Sequence, residues 1–267
     1  MLNILFIGEI SGKIGRQTVE KILPELKKEF RPDLVIANAD NLAHGNGVSA
    51  TTIKEMMAAG VDAFTGGDHC FGNLGSLKIY DDKDLPLLRP ANYSERAPGR
   101  GQTIIELKNG QKILIISLIG QVFMSQDFNN PFTKVEEILS NLAINNLSAI
   151  IIDIHAEATS EKVALFHFLN GQVSAILGSH THIMTADAKV SDEGTAYLTD
   201  MGMTGFIDGI LGVEKEGIIN TFLTQIKYPH NIPEAGRTSL NAVLLTIDPK
   251  TKKAKSIKPI TKYINIK

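Results

Sequence analysis

The chain has 267 residues, enough to bury a substantial core. Apolar residues make up 43%, charged residues 21%, and the formal net charge is −2, which excludes a nucleic-acid coat or an acidic tail on bulk electrostatics but leaves small nucleotides open as ligands. The single cysteine, Cys70, excludes an intramolecular disulfide and a cysteine-rich zinc site, and fits a reducing, cytoplasmic setting.

The start, MLNILFIGEISG, is interrupted too early by Glu9 to read as a signal peptide, and no apolar stretch approaches the roughly 18 residues of a membrane span. LNILFIG (2–8) is an apolar run ending in glycine and predicts a buried strand. Residues 15–30 follow with Val19, Ile22, Leu23 and Leu26 at helical spacing. DLVIAN (33–38) predicts a second strand, residues 49–60 a helix stopped by Gly60, and DAFTGG (62–67) a third strand. This alternation favours a parallel or mixed sheet carrying helices.

The middle reads differently. QTIIELK (102–108), Asn109-Gly110 and residues 111–120 predict a hairpin with a type I′ turn. Residues 131–145 predict an amphipathic helix, AIIIDIH (149–155) a buried strand, and 160–170 another helix. Residues 173–180 and 195–200 predict strands, and 241–260 a hairpin turning at Pro249 to Lys252. With no repeat or linker, the expectation is one domain over 1–267 with two sheets, α/β first and more antiparallel later.

The unusual polar residues fall just after the apolar strands. Glu9 follows LFIG, Asp40 and Asn41 follow LVIAN, Asp68 and His69 follow FTGG, His155 ends IIIDI, and His180 and His182 follow AILGS. Carboxyl ends of crossover-linked strands line one crevice, so five strand ends can aim these groups at one place. Taken singly, each has a plainer reading: a satisfied histidine, a turn residue or a helix cap. Taken together, oxygen and imidazole donors suit divalent iron, manganese or zinc. They outnumber the needs of one ion, and two ions roughly 3.5–4 Å apart clamp a phosphoryl group and generate hydroxide at neutral pH.

Other features read as lesser candidates. His167 sits in a helix between phenylalanines, His230 has no evident partner, and His44 is open between a loop hydrogen bond and a supporting role. GEISGKIGR lacks the spacing and hydroxyl of a P-loop, although Gly12 and Gly15 could let helix-start amides approach a phosphate. Cys70, beside His69, is open between a nucleophile and a buried small side chain.

At these residues the sequence resembles the calcineurin-like metallophosphoesterases, and more closely the bacterial YmdB-like phosphodiesterases. LFIGEISGKIGR, NADNLAHGNG, GGDHCF, LLRPANY, DIHAEATSEK, GSHTHIMTAD, TDMGMTG and DGILG carry the resemblance along nearly the whole chain. It implies an α/β fold, a four-layer α-β-β-α sandwich, with two metal ions, iron or manganese. Glu9, Asp40 and His182, with Asn41 nearby, would hold one ion. Asp68, His155 and His180 would hold the other, with Asp40 bridging. His69 would be the catalytic proton donor to the leaving oxygen or a stabiliser of the phosphorane charge. Arg89 and Asn92, in LLRPANY, are open between contacting the phosphate and a structural role in their loop. The implied activity is hydrolysis of phosphodiester bonds, of 2′,3′- or 3′,5′-cyclic nucleotides, on a small nucleotide substrate without membrane or extended nucleic-acid partners; self-association stays open.

Three positions depart from the resembled pattern. Glu9 stands where Asp is usual, Asp40 where Glu is usual, and Asp68 where Asn is usual. The first two exchange side-chain length reciprocally. The third adds a negative charge, which should tighten metal and weaken attraction for phosphate. A weakly active metal-containing regulatory protein and a phosphomonoesterase are the alternative readings.

Overall fold

The computed structural model describes residues 1–72, 75–142 and 146–267. Its first part runs β1 (Leu2–Ile7), β2 (Glu9–Ile10), α1 (Gly12–Phe30), β3 (Leu34–Asn38), α2 (Ala50–Ala59), β4 (Ala63–Thr65) and α3 (Ser76–Tyr80). β5 (Gln102–Glu106), β6 (Lys112–Ile119), α4 (Pro131–Asn141), β7 (Ala149–His155), α5 (Thr159–Leu169), β8 (Ala175–Ser179), β9 (Lys189–Val190) and β10 (Ala196–Leu198) follow. The chain ends with β11 (Met203–Phe206), α6 (Lys215–Thr224), β12 (Gly236–Ile247) and β13 (Ala254–Ile266).

Two sheets form among the described residues. The first runs β2-β11-β12-β1-β3-β4, with β13 on the other edge of β12. The second runs β5-β6-β7-β8-β10-β9. β1, β3 and β4 are parallel, as are β6, β7, β8 and β10, while β12, β13, β5 and β9 pair antiparallel.

The strands read as continuous apolar runs because both faces are covered. In β7, Ala149 and Ile151 join Ile4, Phe6, Ile36 and Val243 between the sheets. Ile150, Ile152 and Ile154 point the other way, onto Val135 of α4 and Leu165 and Phe166 of α5. On the outer face of the first sheet, Val19, Ile22, Leu23 and Leu26 of α1 pack with Leu5, Ile7 and Ala242. Each such side chain contributes up to about 1.5–3 kcal/mol on leaving water. Helix, sheet, sheet, helix is therefore a four-layer α/β sandwich.

Several local expectations change. α1 begins at Gly12, not residue 15, with Ser11 before it. The Gly12 amide donates to the Asn41 carbonyl and the Gly15 amide to the Ser11 carbonyl, so neither is free for phosphate. A side chain at Gly15 would press on the Thr204 carbonyl, and close packing on β11 explains that glycine. At 107–111 only Gly110 has positive φ (79°), so the turn is not type I′, which needs two such residues. Leu107 N–H donates to the Gln111 carbonyl and Gly110 N–H to the Leu107 carbonyl, a three-residue loop closed by an αL glycine. Of the helix expected over 131–145, residues 131–141 are helical, while 143–145 lie outside the described residues.

Candidate metal centre

The centre lies where the parallel strands of both sheets end. Glu9 reaches it because the chain shifts partners at Gly8: β1 pairs with β12, whereas β2 pairs with β11, Glu9 opposite Met203. Any side chain at Gly8 would collide with the Gly202 carbonyl oxygen. Asp40 and Asn41 leave β3, Asp68 and His69 leave β4, His155 closes β7, and His180 and His182 leave β8 with left-handed φ of 96° and 66°. Such angles are costly for a side chain with a Cβ and persist only where surroundings over-determine them.

Those surroundings are polar and buried. Asp153 points between the sheets, two residues before His155 and so on the same face. It accepts hydrogen bonds from Thr65 Oγ1 (2.5 Å), Asn38 Nδ2 (2.9 Å) and Ser179 Oγ (2.7 Å). Since the Ser179 hydroxyl donates to Asp153, its oxygen accepts from His155 Nδ1 at 3.1 Å. Below the same loop, Lys162 Nζ donates to the Ser179 carbonyl (2.8 Å) and pairs with Asp200 (3.1 Å). Asp200 Oδ2 also accepts from Thr181 N and Oγ1.

Each ring thereby anchors one nitrogen and turns the other inward. His155 Nε2 lies 2.9 Å from Asp68 Oδ1 and 3.6 Å from Asp40 Oδ2. His180 holds Glu157 Oε2 through Nε2 (3.1 Å), and its Nδ1 stands 3.0 Å from His155 Nε2. His182 Nδ1 donates to the Leu211 carbonyl (3.2 Å), leaving Nε2 3.1 Å from Glu9 Oε1. Asn41 Nδ2 donates to Glu9 Oε1. His69 Nδ1 meets Asp40 Oδ2 at 2.9 Å, and Asp40 Oδ1 accepts the Gly67 amide at 2.5 Å. Ligand atoms of Asp68, His155 and His180 lie within 4.8 Å of one another, as do those of Glu9, Asp40 and His155, and of Asp40, Asp68 and His69. Inward-turned imidazole nitrogens among carboxylate oxygens, each ring braced from behind, are a donor set that fits divalent transition cations.

Without cations, these groups hold one another charged. Burial opposes ionisation of Glu9, but the His182 charge and hydrogen bond outweigh it, leaving a pKa of about 2. Burial likewise opposes Asp68, and hydrogen bonding to His155 wins, well below the usual carboxylate range. Desolvation pulls His155 and His182 down; the charge of Asp40 and the Asp68 hydrogen bond raise the first to about 10, and Glu9 raises the second to about 9. The hydrogen bond His69 donates to Asp40 raises that ring to about 9. Of the four histidines in the cluster, His180 alone is lowered, by burial and by the neighbouring His155 charge.

The eight residues picked out at strand ends form one connected cluster. Other candidates lie apart from it or are otherwise engaged. Arg89 donates to the carbonyls of Pro90, Ala91, Ala97 and Pro98, and Asn92 bonds Ile119 and Asn129 backbone, so both brace loops. Cys70 is buried, receives the Tyr80 hydroxyl at 2.9 Å, and its thiol is pushed up by burial. His44, His167 and His230 are exposed. Asp153, Ser179, Glu157, Lys162, Asp200 and the Leu211 carbonyl were not singled out. Asp153 alone had a visible signal, a carboxylate in an isoleucine run two residues from His155.

The chain matches the family model described as YmdB-like protein over residues 5–260. It is 41% identical to a 2′,3′-cyclic-nucleotide 2′-phosphodiesterase of Bacillus subtilis (strain 168), over 97% of this chain and 96% of that one. It superimposes with a TM-score of 0.90 on a novel phosphatase from Mycoplasma pneumoniae, 32% identical, covering 98% and 93% of the two chains. The calcineurin-like phosphoesterase YfkN from Bacillus subtilis, at TM-score 0.60, 15% identity and 98% and 90% coverage, shares the fold.

Proposed function

This chain belongs to the YmdB-like family, and from that premise we propose that it is a metal-dependent phosphodiesterase that opens 2′,3′-cyclic nucleotides at the 2′ ester. The family and the Bacillus subtilis relative support the reaction class and that substrate; nothing supports a 3′,5′-cyclic nucleotide. One observation carries the metal dependence: three histidines anchor one ring nitrogen away from the cluster and turn the other among Glu9, Asp40 and Asp68.

In this reading Glu9, Asp40 and His182, with Asn41, would hold one cation, and Asp68, His155 and His180 would hold a second, with Asp40 available to both. Iron or manganese suits this mixture of donors. Bound cations supply positive charge for the phosphoryl oxygens and acidify water at the site. Ser179, Glu157 and the Leu211 carbonyl keep the rings from turning. His69 is the outermost ring, its side chain 41% exposed, with Nδ1 fixed on Asp40 and Nε2 without a hydrogen-bond partner among the described residues. That nitrogen holds the proton for the leaving 2′ oxygen. A pKa of about 9 keeps the ring protonated at neutral pH, and cations neutralising Asp40 would draw it toward the range where a donor works best.

The test is hydrolysis of adenosine 2′,3′-cyclic phosphate by protein loaded with manganese or iron, with adenosine 3′-phosphate as the expected product and chelation abolishing turnover. Release of phosphate from monoesters with no cleavage of any diester would overturn the reading.

A further inference from the structure

Beside the metal centre lies a cleft of about 470 Å³ that shares His182 with it. Its lining includes Ile183, Leu211, Ser239 and Tyr263, with Met184 and Thr261 between. The position follows from the sandwich. Ser239 and Asn241 of β12 alternate onto the same face as Val243 and Leu245, which the second sheet covers. At the site end that cover stops, and the loop after His182 leaves a gap over β12 and β13.

Two features of the cleft want a partner. The Ser239 hydroxyl is on a residue only 3% exposed, lines the cavity, and makes no hydrogen bond among the described residues. Its oxygen faces the cavity, where it is free to donate to or accept from the polar edge of a ligand. The rim is apolar where a surface is normally polar: Ile183 is 61% exposed, Leu211 47% and Tyr263 69%. A flat, apolar body with a hydrogen-bonding edge satisfies both features, and the volume lies in the range of small-molecule sites.

The geometry points to this cleft as the site that receives the base of the nucleotide whose phosphate lies at the metal centre, with Tyr263 and Ile183 against its faces and Ser239 at its edge. The assignment rests on the nucleotide reading above. His182 is the common wall, and a base is tethered to its 2′,3′-phosphate only through one ribose. Asn241 is not part of the recognition, because its amide already donates to the Met203 carbonyl and accepts from Thr261.

The test separates the base from the phosphate. Adenosine, which has no phosphate, is titrated calorimetrically into the manganese-loaded protein and into Tyr263→Ala and Ala186→Trp, the second of which fills the cleft from its loop side. Adenosine should bind the parent and weaken roughly tenfold without the tyrosine ring, as base–aromatic stacking does elsewhere. Turnover supplies the second arm. The ratio of kcat/KM for adenosine 2′,3′-cyclic phosphate to that for methyl ribofuranoside 2,3-cyclic phosphate, which lacks a base, should fall about tenfold in Tyr263→Ala through KM. Absence of adenosine binding, or equal binding by parent and both variants, overturns the cleft while leaving hydrolysis intact. Adenosine binding that follows the variants in a protein that cleaves neither diester upholds the cleft and sinks the phosphodiesterase reading.

Discussion

At position 68 a carboxylate accepts from His155 and adds a third negative charge to those of Glu9 and Asp40. With two divalent cations bound, the centre would carry about one net positive charge, against about two with asparagine there. A unit charge roughly 4 Å away is worth up to about 4 kcal/mol at an effective dielectric near 20. Asp68→Asn should therefore weaken cation binding at least tenfold in a metal titration while leaving turnover of the fully loaded enzyme equal or faster. His69→Ala should lower kcat by about 10²–10⁴-fold with metal content unchanged by elemental analysis. Protons report the same charges. His155 and His182, raised to about 10 and 9, are both protonated at pH 7.5 in the cation-free protein, so metal must displace their protons. Metal uptake should release about two protons at pH 7.5, read by calorimetry in buffers of different ionisation enthalpy, and affinity should rise with pH. Stability of the chelated protein runs the other way. A histidine whose folded pKa exceeds 6.5 stabilises fully below 6.5 and loses that contribution as pH rises through about 9 to 10. Glu9, at about 2, contributes above 4.5 and loses it only as pH falls through about 2.

One short segment at the end of β8 carries much of the arrangement. Ser179 holds His155 through its hydroxyl and Lys162 through its carbonyl, while Asp200 holds Thr181 between the two strained histidines. Ser179→Ala should lose about 1–3 kcal/mol in urea unfolding, because Asp153 loses a donor and His155 an acceptor, and should weaken cation binding about 10–100-fold. Lys162→Met leaves Asp200 buried without its cation and should cost about 3–5 kcal/mol, with Lys162→Met/Asp200→Leu recovering part of the loss. The contrast between these residues and the ligands explains what was legible beforehand. Strands β1, β3, β7 and β8 announce themselves as apolar runs, and a charged residue at the end of such a run stands out, so the ligands and the α/β alternation could be read off. Lys162 could not, since SEKVALFHFL presents it as an ordinary helical lysine, and only tertiary packing brings its ammonium to a carbonyl at the end of β8 and a carboxylate just after β10. β2 and β11 are short, and their pairing depends on close approach at Gly8 and Gly202 rather than on hydrophobic period. α6 was equally hidden: it has no buried residue, so it has no apolar stripe to read.

Across the whole molecule, the donors divide by sheet. Glu9, Asp40 and Asp68 come from the ends of strands in the first sheet, and His155, His180 and His182 from the second. Elsewhere the sheets meet mainly through an apolar core, which is non-directional, with the buried Asn38, Thr65, Asp153 and Ser179 network, the Ser117 hydroxyl on the Gly66 carbonyl and the Ala254 amide on the Gly194 carbonyl among the bonded exceptions. Cations at the rim would therefore clasp the two sheets, and their binding energy is folding energy for any donor that separates on unfolding. At free metal a hundredfold above Kd, each ion should add about 2.7 kcal/mol. The prediction is a rise in Tm with manganese that is lost in Asp40→Ala, from the first sheet, and equally in His180→Ala, from the second. The quantity compared is the shift between chelated and metal-loaded samples of each variant, which removes any difference in their starting stabilities. A metal held by one sheet alone would leave the shift intact in one of them, and the clasp would then be wrong.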